Sequence, residues 1–265
     1  MLRPLFLSHG APTLLLEDVA ARHFLEALAE TMPRPRTILV VSAHWETQSP
    51  TVNAVERNST IHDFSGFPAA LYRMSYPAPG DPDLAGRVAD LLACAGLSTT
   101  TDTSRGLDHG VWVPLLLAWP NAEIPVAQLS VQSHLGPGHH LKVGRAIAPL
   151  AHEGVLIIAS GSYTHDLSSL RRGQVDMAEP GWVTDFANWM DGALTQGRTC
   201  DLLAYRHLAP NAQRNHPTEE HILPLFVALG AAGPDASVER LHASNTYGVL
   251  RMDAYAFGND APRLN

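Results

Sequence analysis

Short, continuously apolar segments separated by longer amphipathic ones constrain the fold of this chain more than any other feature. Three of them are Leu5-Phe6-Leu7, Thr37 to Ser42 and Val155 to Ser160, and Val126 to Val131 is a further predicted strand. Strands without polar alternation are buried on both faces, as in a parallel sheet covered by helices. We therefore predict an α/β, single-domain layered fold over residues 1–265, with a mixed, largely parallel central sheet flanked by helices.

The segments between these strands carry helical signals. We predict five helices: Phe24 to Met32, Asp81 to Gly96, Val143 to Leu150, Trp182 to Leu194 and Pro217 to Leu229. The first is expected to stop before Pro33, and Pro149 is expected to shorten the third. In the last, we expect a bend at Pro224 and an end at Gly230. The tail from Ser237 to Met252 predicts a β-hairpin around Asn245 or Gly248.

Five histidines stand where apolar segments pass into loops or helix starts. They are His9, His44, His109, His165 and His221. Strands of an open α/β sheet deliver the residues that follow them to a common edge, so imidazoles far apart in sequence can meet there. Three or four neutral imidazoles facing one point are typical of a transition-metal site.

Composition narrows the partners and the kind of metal site. The formal net charge is −8 without a Lys/Arg cluster, which argues against nucleic acid or an anionic membrane as a partner. Cys94 and Cys200 form no C-x-x-C pair, so a metal has to be held by histidine and carboxylate.

The longest apolar stretch, Val111 to Trp119, is too short to span a bilayer, and the segment before His9 is too short for a signal peptide. We expect a cytoplasmic protein.

Motifs of other hydrolases and nucleotide-binding enzymes are absent. The chain contains no H-E-x-x-H, G-x-S-x-G, Walker loop or G-x-G-x-x-G. A Ser–His–Asp hydrolase stays open, since Ser160, Ser162, His165 and Asp166 are close in sequence.

In this order and spacing, several motifs resemble the LigB superfamily of extradiol ring-cleavage dioxygenases, and within it the 4,5-DOPA dioxygenase type. The motifs are Ser8-His9-Gly10-Ala11-Pro12, Val40 to Trp45, Ile61-His62-Asp63-Phe64, Gly66-Phe67-Pro68, Tyr76 to Gly80, Leu107 to Trp112, Gln128-Leu129-Ser130, Ala159-Ser160-Gly161 with His165, and His216 to His221 followed by Leu223-Pro224-Leu225.

The resemblance implies a role for each of the five histidines. His9, His44 and His221 would hold the metal, and His165 would be the acid/base residue, close enough to act as a fourth ligand in some states. His109 would lie near the oxygen site as the second catalytic histidine.

Other parts of the site are less constrained. Distant relatives use two histidines and one glutamate, so Glu219 or Glu220 stays open as a ligand in place of His221.

The segment from His62 to Phe67 is expected to line the pocket. Asp108 or Asp166 would either orient an imidazole or cap a loop. For a carboxylate on the substrate, the candidate contacts are His216, Tyr163, Arg73 and Arg214.

The implied function is a non-haem Fe(II)-dependent extradiol dioxygenase that cleaves the ring of a catechol with O2, the catechol being DOPA, caffeate or a protocatechuate-like acid. Zn²⁺ would fit the same imidazoles without activating O2. The alternatives are a zinc-dependent hydrolase on the same histidines and a non-catalytic adaptor of the same fold, whose signature would be loss of the ligands. Relatives often self-associate, so a homo-oligomer also stays open.

Overall fold

The computed structural model describes residues 1–171 and 173–258, and its centre is an eight-stranded mixed sheet. The strands of the described residues are β1 (Leu5–Ser8), β2 (Thr37–Glu46), β3 (Thr51–Asn53), β4 (Thr100–Asp102), β5 (Val126–Val131), β6 (Val155–Gly161), β7 (Val238–His242), β8 (Asn245–Thr246), β9 (Leu250–Arg251) and β10 (Ala254–Phe257). The sheet order is β4-β3-β5-β2-β6-β1-β10-β7, and β8 pairs with β9 separately.

The middle of the sheet is parallel, as predicted. Neighbours in the series β5, β2, β6 and β1 all run in the same direction. On one side β10 and β7 add antiparallel strands, and on the other β3 is antiparallel to β5 and parallel to β4. The prediction of a mixed, largely parallel sheet is confirmed. The assignment of all 265 residues to one domain stays a prediction, and residues 172 and 259–265 lie outside the described part.

Helices cover both faces of this sheet. The α-helices of the described residues are α1 (Ala20–Leu28), α2 (Pro82–Cys94), α3 (His109–Ala118), α4 (Gly136–Ile147), α5 (Gly181–Thr195), α6 (Thr199–Leu203), α7 (Tyr205–Leu208), α8 (Ala212–Asn215) and α9 (Leu223–Ala232). None of them is long and apolar enough to cross a membrane.

The continuous apolar strands serve two cores because successive side chains point to opposite faces. In β2, Ile38 and Val40 pack with α1 and α3, whereas Leu39 and Val41 pack with α2 and α4. All four side chains are fully buried. Burial on both faces explains why β2 shows no polar alternation.

The helix predicted from Pro217 to Leu229 is partly wrong. The α-helix begins only at Leu223, and Pro224 lies in its first turn, where the missing N–H costs nothing, so it does not bend the helix. Gly230 does not end the helix either. It lies inside α9 because α4 approaches closely there.

The other predicted elements hold with smaller changes. Pro149 ends α4 at Ile147, and a 3₁₀ segment, Ala148–His152, follows. The predicted hairpin is the short β8–β9 pair, with Tyr247 and Gly248 at positive φ in its turn. The strand β7 pairs with β10 instead of joining that hairpin.

Candidate metal centre

The five predicted histidines meet beyond the carboxyl ends of the parallel strands. His9 directly follows β1, His44 lies in the last part of β2, and His165 follows the end of β6. His109 is the first residue of α3, and His221 lies just before α9. All five rings are linked by ring contacts to at least one other member of the group.

Three of these imidazoles point at a common centre. The Nε2 atom of His44 lies 3.0 Å from Nε2 of His9 and 3.3 Å from Nε2 of His221. Two imidazole nitrogens that bind one ion at about 2.1 Å, with roughly right-angled to tetrahedral geometry, are themselves about 3 Å apart. The donor set therefore fits a single transition-metal ion held by three neutral histidines.

The outer nitrogens of two of these rings are bound so that Nε2 keeps its lone pair. The hydroxyl of Ser160 donates to the carbonyl of Gly110 and accepts from Nδ1 of His9, 2.9 Å away. A carboxylate oxygen of Glu220 lies 2.9 Å from Nδ1 of His221 and can only accept there. With Nδ1 protonated, the neutral ring presents Nε2 as a ligand atom.

Burial keeps these rings uncharged. His9 and His221 are 2% and 4% exposed, and burial, followed by the neighbouring histidines, holds the pKa of each well below its ordinary value. Burial and then His109 lower the pKa of His44 to about 3. All three rings are therefore neutral near pH 7, as metal ligands must be.

His165 occupies a different position from these three. Its ring is stacked on that of His221, with centroids 3.4 Å apart and an angle of 14° between the planes. Its backbone N–H donates to the carbonyl of Asn215 at 2.7 Å. Burial lowers the pKa of His165 to about 4, so the ring is neutral near pH 7 and carries an unprotonated nitrogen.

The carboxylate of Asp63 lies between the rings of His109 and His44. Its carboxylate accepts from the backbone N–H and from Nδ1 of His109, each at 2.9 Å, and lies 3.6 Å from Nδ1 of His44. Burial acts to raise the pKa of Asp63, but the hydrogen bonds from His109 and the nearby imidazoles lower it to about 2. The carboxylate is thus charged near pH 7.

The end of β6 holds two of the histidine segments through backbone hydrogen bonds. The N–H of His9 donates to the carbonyl of Gly161 at 3.0 Å, and the N–H of Ser162 donates to the carbonyl of His221 at 2.9 Å. A Cβ atom on Gly161 would overlap the His221 carbonyl. Glycine at this position lets the two backbones come together.

Phe64 places an aromatic ring beside His109, and the expectation that the segment from His62 to Phe67 lines the pocket stays a prediction. The ring of Phe64 meets His109 edge-on at 5.8 Å between centroids. Phe64 also contacts Tyr72 and Trp112. Trp112 is fully buried in the core, so Phe64 is the ring of these three that lies next to the histidines.

The proposed hydrolase triad does not form. Ser160 is bound to His9, and the hydroxyl of Ser162 donates to the carbonyl of Thr164. The carboxylate of Asp166 accepts from the neighbouring residues Ser168 and Ser169, so it caps its own loop and orients no imidazole.

Asp108 likewise does not orient an imidazole. Its buried carboxylate accepts from the hydroxyl of Ser42 at 2.7 Å, from the guanidinium of Arg105 at 3.1 Å and from the side-chain amide of Gln128. The imidazole-orienting carboxylates are instead Asp63 and Glu220.

The four candidates for a substrate carboxylate divide by burial. Tyr163 and His216 are fully buried, and Tyr163 is hydrogen-bonded to the core residue Tyr255. Arg73 is exposed, and the exposed Arg214 stacks over the ring of Trp182 at 4.0 Å. Tyr163 is therefore a core residue.

Comparison with known proteins places the chain among aromatic ring-opening dioxygenases. A model for the catalytic LigB subunit of aromatic ring-opening dioxygenases matches residues 4–258. The chain is 48% identical to a protein of Beta vulgaris named 4,5-DOPA dioxygenase extradiol, over 95% of each chain. It is 41% identical to a protein of the same name from Escherichia coli K12, over 86% of this chain and 84% of that one.

A solved structure shows the same fold. The crystal structure of an uncharacterized protein from Escherichia coli K12 superposes with a TM-score of 0.81 at 34% identity, covering 97% of this chain and 100% of the other. The structural match and the family match thus both extend over nearly the whole chain.

Proposed function

The chain belongs to the LigB family and is an extradiol ring-cleavage dioxygenase, and from this premise we propose that it opens the ring of a DOPA-like catechol with O2 and Fe(II). The observation that carries the proposal is the convergence of three Nε2 atoms, from His9, His44 and His221, at separations of 3.0 and 3.3 Å from the central His44.

We assign the metal to these three histidines. Three ligands on one side of an ion leave adjacent positions open on the other, as in the sites of non-haem Fe(II) oxygenases. Bound Fe(II) would supply the electronic coupling between a chelated catechol and O2, which Zn²⁺ in the same imidazoles would not. Glu220 supports His221 through Nδ1, so we assign it as the partner of a ligand rather than as a ligand.

His165 is the acid/base residue of the proposal. A catechol that binds through both oxygens has to lose protons, and the neutral His165 ring, stacked beside His221, is placed to accept one. The same imidazolium can return the proton when the ring opens. We place His109 at the O2 side, where its imidazole would hydrogen-bond to the reacting oxygen.

The substrate assignment is supported by the relatives and by the aromatic ring of Phe64 beside His109. Proteins 42% to 48% identical to this chain carry the name 4,5-DOPA dioxygenase extradiol. The ring of Phe64, which lies edge-on to His109, offers an aromatic contact for a flat ring. A catechol with a short polar side chain fits both observations.

Aerobic turnover tests the function directly. Protein reconstituted with Fe(II) under anaerobic conditions, then mixed with DOPA, caffeate and protocatechuate in air, should give a yellow ring-opened semialdehyde from at least one of them. Zinc-loaded protein is the matched control and should give none. Failure of the iron-loaded protein on the whole panel, with bound iron confirmed, would contradict the proposal.

A further inference from the structure

Asp63 is attached to His109 at two points. One carboxylate oxygen accepts from the backbone N–H of His109 at 2.9 Å, and the other accepts from Nδ1 of its ring, also at 2.9 Å. The side chain of Asp63 is 22% exposed and that of His109 is 10% exposed, so the bond between them is partly sheltered from water. The two bonds fix both the position and the rotation of the His109 ring.

The loop that carries Asp63 is itself anchored. The backbone N–H of Ile61 donates to the carbonyl of Leu107 at 2.8 Å, and the indole N–H of Trp112 donates to the carbonyl of Ile61 at 2.9 Å. A ring nitrogen of His62 lies 3.0 Å from the carbonyl of Met74. Asp63 is therefore held in place before any ligand binds.

The chemistry of a carboxylate decides where the His109 proton lies. An ionised carboxylate has no hydrogen to donate, so Nδ1 of His109 has to carry the proton that the bond requires. In the neutral ring, Nε2 is then the unprotonated nitrogen, on the side of the ring away from Asp63. In the imidazolium, Nε2 carries the second proton.

We propose that Asp63 is a positioning residue of the ring-opening reaction, which fixes the His109 ring in the Nδ1–H tautomer and so leaves Nε2 of the neutral ring free to accept a hydrogen bond on the side away from the carboxylate. The inference rests on the proposed function, in which His109 faces the reacting oxygen. A tautomer with the proton on Nε2 would present a permanent donor there, and Nδ1 would face the carboxylate with its lone pair.

Asp63→Asn makes a specific change at this contact. An amide offers one acceptor and one donor, and the backbone N–H of His109 has to face the acceptor. The NH2 group then faces Nδ1, which becomes the unprotonated nitrogen, and the proton moves to Nε2. Asp63→Glu keeps two acceptor oxygens and is the conservative variant.

The tautomer can be read without turnover. In zinc-loaded protein labelled with 15N-histidine, we expect the His109 nitrogens of the wild type to show Nδ1 protonated, and those of Asp63→Asn to show Nε2 protonated. With iron, the Asn variant should lose about 10- to 100-fold in kcat with little change in KM, the usual size of an effect transmitted through a supporting contact. Asp63→Glu should keep the wild-type tautomer and recover part of kcat.

Asp18→Asn is the matched control, since Asp18 pairs with Nε2 of His23 at 2.8 Å on the exposed surface. It should leave kcat and the His109 signals unchanged. An unchanged tautomer in Asp63→Asn would overturn the inference. So would equal losses in the Asn and Glu variants, or metal loss in proportion to activity, which would mean that Asp63 acts through His44. An inactive wild type would refute the proposed function, while the tautomer measurement would still decide the role of Asp63.

Discussion

At the scale of single residues, the three proposed ligands differ in what supports them. Nδ1 of His9 is bound to a neutral hydroxyl, and Nδ1 of His221 is bound to the carboxylate of Glu220. Nδ1 of His44 lies 3.6 Å from Asp63, beyond a normal hydrogen bond. A carboxylate partner makes an imidazole a stronger ligand. His221 is therefore expected to be the strongest metal ligand of the three histidines.

The proposed roles of His44 and His165 predict different outcomes when each is removed. His44→Ala deletes the central ligand atom and should abolish metal binding and activity together. His165→Gln should retain metal and lose about 100- to 10,000-fold in kcat, the range for loss of a general acid/base. Metal analysis by mass spectrometry, alongside kcat, checks this. Equal metal loss in both variants would instead make His165 an obligate ligand.

Sequence reasoning reaches the histidines but not their supporting contacts. His9 and His44 are predictable because each ends or follows a buried strand whose apolar run is unmistakable. The pairing of Asp63 with His109 is not predictable, because it joins an irregular loop to a helix start 46 residues away. The Asp63 motif is visible in the sequence, but its partner is set only by tertiary structure.

At the scale of secondary-structure elements, two glycines set the spacing of α4 and α9. Gly144 of α4 and Gly230 of α9 face each other, and a Cβ on Gly230 would overlap the carbonyl of Leu141. Since α9 follows His221 directly, this helix contact also fixes the element that carries the ligand.

Gly230→Ala should destabilise the protein even though alanine is the better helix former. The overlap with backbone atoms costs about 1–3 kcal/mol, which outweighs a propensity gain of about 1 kcal/mol at most. The matched control is Gly86→Ala in α2, where a Cβ meets nothing within 4 Å, and it should stabilise by about 0.5–1 kcal/mol. Urea unfolding measures both. Equal stabilisation by the two substitutions would contradict the proposed helix contact.

Helix prediction fails where the usual signals are absent or ambiguous. The helix α3 is buried on nearly all sides, so it has no polar face and no amphipathic stripe to reveal it. In α9, proline and glycine act as a first-turn residue and a packing residue rather than as breakers. The roles of this proline and this glycine depend on neighbouring elements, about which the local sequence pattern carries no information.

At the scale of the whole molecule, buried neutral histidines tie stability to pH. Burial lowers the pKa of His140 and of His165 to about 4, and that of His216 to about 3. An unfolded histidine has a pKa of about 6.5. Between these values the unfolded chain binds more protons than the folded one, so stability falls as the pH falls.

We therefore predict that the metal-free protein loses stability as the pH is lowered from 6.5 to 4, and that it is insensitive to these groups above 6.5. His140 alone accounts for on the order of 3 kcal/mol over this window, a large part of the 5–15 kcal/mol typical of a domain. Urea unfolding at a series of pH values measures the slope, and His140→Gln should make it shallower. A stability that is flat between pH 6.5 and 4 would contradict the prediction.

The parallel centre of the sheet can be predicted from the sequence, whereas its antiparallel edge strands cannot. The parallel core follows from the apolar strands, which need a cover on both faces. The antiparallel edge of β10 and β7 is not foreseen, because β10 comes from the last part of the described chain and pairs with β1 across the whole sequence. Self-association stays open.

The most direct test of the central claim is the origin of the oxygen atoms in the product. Iron-loaded protein should be mixed with DOPA under 18O2, and the product reduced at once with borohydride, so that the aldehyde oxygen does not exchange with water. We expect both atoms of one O2 molecule to appear in one ring-opened product. A product whose new oxygen comes from water, or one that carries a single labelled atom, would contradict it.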